Sequence, residues 1–365
     1  MRIYDTFLFD GELDLLTHRI KENWDYVDWF LLVEAEQTYR GEPKPCVFEA
    51  EKARFAWAAD KIRHIKLQSL GPAGASPRTR AALQRNAVLL GLQDAAPEDI
   101  ILLLDADEIP NAALLTDLRA QGLEKPRRLQ MTRHYRTLDL LAPRSTCCPS
   151  QSDPFPFAID HLCPGEWKML DSTWSGQSGV AVPMSALRGG GRQGSPYELR
   201  YRSYDSEPIA KAGRHLTGVD PAAQLGRKLP RMFHEEWATD RSLHAPHLER
   251  CRLHAVHHRG WWYAERPGGR MPDDLLRLAD NCPSAMRTEP LPSLWRRRLV
   301  RTWSWIRLWN GIPQQLVWAV DRHFETLVPL LFPVLTVADI TRAALNLFVR
   351  QRGCWRVSGN SEHLS

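Results

Sequence analysis

Asp105 and Asp107 stand two residues apart with Glu108 beside them, directly after the run Ile100-Ile-Leu-Leu-Leu104. On an extended chain, residues two apart point to the same side, so both aspartates can converge on one hard divalent cation and, through it, on a diphosphate. The five apolar residues read as a strand buried on both faces of a sheet. Open α/β sheets take their ligands beyond the carboxyl ends of their strands, which is where these acids fall. The competing reading is plainer: three acids that end a strand and solubilise a turn before Pro110.

The elements that must position this cluster follow from the pattern around it. Residues 2–9 read as a first strand and Asp10-Gly11-Glu12 as a turn, after which Leu13, Leu16, Ile20 and Trp24 keep helical spacing. Further strands are expected at Trp29–Glu34, Ile62–Leu67 and Arg128–Tyr135, with helices within 76–94 and over 111–121. Such alternation predicts an α/β fold with a mostly parallel sheet and helices on both faces. Residues 142–200, rich in Pro, Gly, Ser and Cys, read as long loops with short strands. The stretch Gly189-Gly-Gly-Arg-Gln-Gly194 lacks the strand-then-helix setting of a phosphate loop and reads as a flexible loop. Helical patterning resumes near Ala222 and continues through His258.

Composition narrows the class. A hydrophobic content of 43% over 365 residues suits a globular protein with a full core. Seven cysteines without repeated spacing argue against a secreted disulfide framework and for a reducing compartment. Cys147, Cys148 and Cys163 with His161 lack the two-residue spacer of a zinc knuckle. No signal-peptide pattern precedes the first strand, so the expected location is cytoplasmic. The net charge of +5 is unevenly placed: from Ala285 onward arginines outnumber acids 11 to 5, leaving a neutral body and a basic tail. A neutral body without a recognisable module argues against nucleic-acid binding.

The segments Tyr4-Asp-Thr-Phe-Leu-Phe-Asp-Gly-Glu-Leu-Asp-Leu-Leu16, Val33-Glu34, Gly41-x-Pro-Lys-Pro45, Gln84-Arg-Asn86, Asp105-Ala-Asp-Glu-Ile-Pro110, Gly213-Arg-His215 and His234-Glu-Glu236 occur in this order. Over about residues 1–285 the chain thereby resembles glycosyltransferase family seventeen, the β-1,4-mannosyl-glycoprotein 4-β-N-acetylglucosaminyltransferase family, and especially its bacterial members. The resemblance implies a GT-A type (Rossmann-like) fold over residues 1–285, a UDP-sugar donor and an inverting transfer assisted by Mn²⁺ or Mg²⁺. It places the metal motif on Asp105, Asp107 and Glu108, a Gly-x-His segment on Gly213 to His215, and a His-x-Glu segment on His234 to Glu236. Arg214 stands where the family has Trp, Asp220-Pro221 replaces Gly-Gly, and residues 141–172 look like an insertion. The acceptor is therefore not carried over; a glycan, a polysaccharide or a lipid-linked sugar all fit.

Roles follow for each group. Asp107 is the expected cation ligand at a leaving diphosphate, and Asp105 a contact to ribose or to the metal through water. His215 is a further metal ligand, since neutral imidazole suits Mn²⁺. Arg85 is either an always-charged donor to the diphosphate or one half of a salt bridge to Asp94 or a neighbour. Asp5 and Glu34 end or flank early strands, where base and ribose sit, or else serve as caps. Glu236, with Glu235 second, is the expected general base for the acceptor hydroxyl. Two other functions stay open: a metal-dependent phosphoesterase, and a non-catalytic nucleotide-sugar or glycan-binding protein.

The tail, residues 286–365, reads as a helical appendage. Trp295, Leu299, Trp303 and Ile306 recur at helical spacing beside Arg296, Arg297, Arg298, Arg301 and Arg307, as in an interfacial helix. The apolar run Leu327–Ala338 falls short of the ~20 residues that cross a bilayer. Six of the chain's 14 tryptophans follow residue 290, and Trp favours the headgroup region, so peripheral attachment to the inner face of the plasma membrane is expected. The alternative is that these helices pack on other protein.

Overall fold

The computed structural model describes residues 1–142, 175–188, 194–201, 204, 206–219, 225–226, 228, 231, 243–256, 270–286, 290–307, 312–324, 326–327, 333 and 337. Glu235 and Glu236, the Cys147/Cys148/Cys163/His161 set, nearly all of the 141–172 segment and most of the runs 189–194 and 327–338 lie outside the described residues. The chain divides into two compact units.

In the first unit β1 (Ile3–Leu8), β2 (Trp29–Ala35), β3 (Ile62–Leu67) and β4 (Ile100–Asp105) pair in parallel in the order β3-β2-β1-β4. Helices α1 (Leu13–Asn23), α2 (Val47–Ala50) and α3 (Pro77–Asn86) connect these strands, and α4 (Ala112–Gln121) follows β5 (Glu108–Pro110). Side chains of a strand alternate between its faces, and each face here meets its own core. Phe7, Phe30, Leu102 and Leu104 pack with Leu16 and Ile20 of α1 and Leu115 of α4, whereas Tyr4, Leu31, Ile101 and Leu103 pack with Val88 and Leu92. Helix starts are written locally: Ser76 accepts from Thr79 N at 3.1 Å, and Asn111 accepts from Leu114 N at 2.9 Å.

The rest of the sheet is mixed. β6 (Arg127–Tyr135) pairs antiparallel with β7 (Thr137–Leu141) and with β8 (Ser175–Pro183), and β8 in turn pairs antiparallel with β4. Beyond β8 come α5 (Met184–Arg188) and α6 (Pro196–Tyr201), and then β9 (Gly213–Thr217), parallel to β6 and antiparallel to β5. The α/β class is as the alternation predicts. Within 142–200, read as long loops with short strands, Ser175–Pro183 forms β8, a nine-residue strand in the middle of the sheet rather than a short piece of a loop region. One of its two glycines, part of the composition that suggested loops, is there for space: a Cβ on Gly179 would lie 2.0 Å from Leu104 Cδ2 and 3.3 Å from a Glu108 carboxylate oxygen.

The second unit contains α7 (Ala245–Leu253), α9 (Leu294–Ile306) and α10 (Gln314–Arg322), whereas α8 (Asp273–Asn281) belongs to the first, against α1. Leu299, Val300 and Trp303 of α9 are buried with Cys251, Val317, Val320 and Phe324. Asp321 is fully buried and accepts from Trp303 Nε1 at 2.9 Å and Arg307 at 2.6 Å. Much of the face read as membrane-facing is thus core of this unit, and Arg297, Arg301 and Arg307 are buried beside it; Trp295 stays exposed. No helix among the described residues is long and apolar enough to cross a membrane.

One backbone position decides where β9 runs. Gly213 has φ of +143°, and a Cβ there would sit 2.1 Å from the Ile109 carbonyl oxygen. Gly213→Ala is expected to lower the unfolding free energy by about 2 kcal/mol or more, since strained backbone and a clash add. A denaturant midpoint equal to that of the unsubstituted protein would refute this.

Candidate functional site

The turn that follows β4 carries the acidic cluster, and three buried arginines hold it. Arg19 of α1 donates to the Asp105 and Ala106 carbonyls at 2.9 and 3.2 Å while its other nitrogens grip Asp5 at 2.7 and 2.6 Å. Arg85 of α3 donates to the Leu104 carbonyl and to Asp105. Arg200 of α6 reaches Glu108 at 2.7 Å, Asp105 at 3.2 Å and the Ser178 carbonyl at 2.9 Å. Burial opposes charge on Asp105, but Arg85 and Arg200 outweigh it and hold this carboxyl below its ordinary range. Glu108 is pushed up by burial and by the charge of Asp105, against the pull of Arg200.

Above the turn lies a cavity of about 390 Å³, the size of a small-molecule site. Its wall takes Phe9 and Asp10 from the end of β1, Tyr39 from beyond β2, Gln84 and Arg85 from α3, Asp105 and Asp107 from the turn, and His215 from β9. Among the described residues four acids line it, and each faces a base. Asp105 pairs with Arg85, Asp107 lies 3.7 Å from His215 Nε2, Asp10 pairs with Lys44 at 2.7 Å, and Glu12 pairs with Lys228.

Asp107 and His215 are the donors that fit a cation. Two ligands at about 2.1 Å from one ion lie roughly 3 to 4 Å apart, the spacing seen here. Burial, with Arg133 and Arg200 nearby and Asp105 opposing, lowers His215 to about 3, so the imidazole is neutral and able to ligate. Its Nδ1 meets Ser178 Oγ at 3.2 Å, which orients Nε2 toward Asp107. The remaining ligands would have to come from a bound anion and water, because no three His, Cys, Asp or Glu side chains converge on one point among the described residues.

The sequence-derived site residues separate accordingly. Asp105, Asp107, Arg85 and His215 meet at the cavity, the last because β5 and β9 pair Glu108 with His215. The expected convergence of Asp105 and Asp107 is corrected: Ala106 and Asp107 form a turn, so the two-residue alternation of an extended chain does not apply, and arginines take Asp105. Three others do not line the cavity. Asp5 is fully buried in its pair with Arg19. Glu34 accepts from the Phe48 and Glu49 amides at 3.0 and 3.4 Å, capping α2, and meets His64 at 3.3 Å. Glu108 is buried, and one of its oxygens accepts from Asp105 N at 2.9 Å, closing the turn. For Glu34 the capping alternative describes the side chain, whereas Asp5 lies inside β1 and serves neither as a cap nor in the cavity wall.

Sequence reasoning missed Arg19, Arg200, Lys228 and the Lys44–Asp10 pair. Arg19 lies on a helix with ordinary spacing, and Arg200 lies in the stretch taken for loops. Only Lys44 carried a signal, in the run Gly41-Glu-Pro-Lys-Pro45.

Arg200→Met strands buried Glu108 beside Asp105 without its cation, and is expected to cost about 3–5 kcal/mol. Adding Glu108→Gln, which removes the uncompensated charge, should recover part of that. A double variant no more stable than the single one in urea unfolding would show that the pair is not what holds the turn.

Part of the chain is similar to β-1,4-mannosyl-glycoprotein 4-β-N-acetylglucosaminyltransferases from Rattus norvegicus and Homo sapiens, each 31% identical over 117 residues, and from Mus musculus, 30% identical over 117 residues. The match covers 30% of this chain and 22% of the length of each relative. Residues 1–146, which supply β1 through β7 and the acidic turn, match glycosyltransferase family 17.

Proposed function

We propose that this protein is an inverting, metal-assisted glycosyltransferase that moves a sugar, N-acetylglucosamine first among candidates, from a UDP-sugar to a glycan, polysaccharide or lipid-linked acceptor. One observation carries the reading: within the first unit, Asp107 and His215 stand 3.7 Å apart on the wall of a cavity at the carboxyl ends of β1 and β4. Family 17 and the relatives' name supply the reaction class.

In this reading Asp107 and His215 hold Mn²⁺ or Mg²⁺, which when bound offsets the charge that develops on the leaving diphosphate. Asp105, fixed between Arg85 and Arg200, presents its half-exposed carboxylate to the ribose or to metal-bound water. Arg85 serves from the same wall as a fixed cation. Inversion requires a base on the acceptor hydroxyl, and Glu236, with Glu235 beside it, is assigned that role on the His-Glu-Glu segment. Hydrolysis of phosphoesters at two metals would ask for more ligands than Asp107 and His215 provide. A cytoplasmic protein docked on the inner face of the plasma membrane would meet a lipid-linked acceptor in two dimensions, and exposed Trp295 and Trp318 of the second unit suit that contact.

Incubation of the purified protein with a panel of nucleotide-sugars and Mn²⁺ should release UDP from UDP-N-acetylglucosamine. Asp107→Ala, a substitution at a cavity wall rather than in a core, should lower that release about a hundredfold or more with an unchanged melting temperature. UDP binding without turnover of any donor would leave a non-catalytic binding protein instead. In flotation with anionic liposomes, the full chain should float at low salt and Trp295→Ala/Trp318→Ala should float less; equal behaviour would retire the membrane contact.

A further inference from the structure

The segment Gly41-Glu-Pro-Lys-Pro45 is built with more precision than a surface loop needs. Gln37 and Pro43 form an isolated antiparallel bridge, Thr38 N donates to the Glu42 carbonyl at 2.8 Å, and Lys44 N donates to the Glu36 carbonyl at 2.9 Å. Gly41 has φ of +86°, and a Cβ on it would lie 3.0 Å from the guanidinium of buried Arg80, which itself bonds to the Pro72 and Ala75 carbonyls. Pro43 and Pro45 flank Lys44 and restrict the backbone on either side of it. The product of this scaffold is one ammonium group, on a side chain only 13% exposed, at the wall of the cavity.

Its partner is weak by comparison. Asp10, bonded at 2.7 Å, is 46% exposed, and an ion pair with one carboxylate in water contributes little. A well-fixed, nearly buried cation facing a loosely held acid is an anion site with a stand-in. Lys228 lines the same cavity but differs: its partner Glu12 is itself buried and also accepts from Asp10 N at 2.9 Å, so that carboxylate is held where Asp10 is loose. Both acids come from the turn Asp10-Gly11-Glu12, made possible by the φ of +101° at Gly11.

We infer that Lys44 is a ligand for the phosphates of the nucleotide donor, held in place by Asp10 until the donor displaces this carboxylate. The inference rests on the proposed nucleotide-sugar reading of the cavity and adds to it a group that selects a diphosphate. It requires no movement of the Lys44 backbone, only the exchange of one anion for another at its ammonium.

The exchange predicts effects of opposite sign on the two sides of one pair. Calorimetric titration of the full chain in EDTA, with UDP, UMP and uridine as probes, reads them directly. Lys44→Met should raise the Kd for UDP about tenfold, leave uridine unchanged and keep the melting temperature. Asp10→Asn, which removes the stand-in, should tighten UDP about threefold. An unchanged UDP affinity in Lys44→Met, an equal loss for uridine, or weaker UDP binding in Asp10→Asn would each overturn the inference while leaving the nucleotide reading in place. Failure of the unsubstituted protein to bind either UDP or uridine when the titration is repeated with Mn²⁺ in place of EDTA would overturn that reading as well.

Discussion

Everything at this site depends on holding a tight turn at the carboxyl end of a buried parallel strand. Such a strand ends with carbonyls that its neighbours no longer satisfy, and an unpaired buried carbonyl is costly. Here Arg19 and Arg85 take the carbonyls of Leu104, Asp105 and Ala106, while Arg85 and Arg200 neutralise Asp105 and Glu108. A planar fork of donors can do both at once, which an ammonium cannot. The cost of burying three cations is met by acids buried with them, Asp5 and Glu108 above all. The turn is thereby rigid before any ligand arrives, and Asp107 and His215 inherit a fixed separation.

The two sides of the cavity are built differently. On the side of β5 and β9, geometry comes from strand register: Gly213 admits β9 against β5, and the pairing of Glu108 with His215 follows. On the side of β1 and α1, it comes from a loop stiffened by two prolines and from a glycine turn that carries two acids. Both strategies place charge without leaving it unmatched, since each acid in the wall has a base beside it. Balanced charge of this kind suits a site that must accept a polyanion and release it again.

The second unit shows how one pattern can serve two physical ends. An apolar stripe flanked by arginines lowers the free energy of a helix on a lipid surface or against other helices by the same burial. In α9 much of the stripe is spent on α7 and α10, and the buried carboxylate of Asp321 accounts for Arg307, which periodicity would assign to headgroups.

The sequence by itself marked the strands of the parallel half of the sheet, because a short run such as Ile100–Leu104 between turn signals reads as a strand covered on both faces, and its alternation with helices favours parallel pairing. It also singled out Asp105, Asp107 and His215, by residue type and by resemblance, and gave a resemblance over about residues 1–285, of which the family match covers 1–146. Only the tertiary structure decided which acids face the cavity. Asp5, Glu34 and Glu108 are as polar and as well placed along the chain as Asp107, yet their oxygens are taken by Arg19, by the amides of α2 and by Arg200. Those partners lie 14 residues away in two cases and 92 in the third, a pairing that no local pattern records. β8 was hidden for a related reason: a glycine that marks a loop in sequence marks close approach in a packed sheet, and the two are told apart only by what stands opposite it.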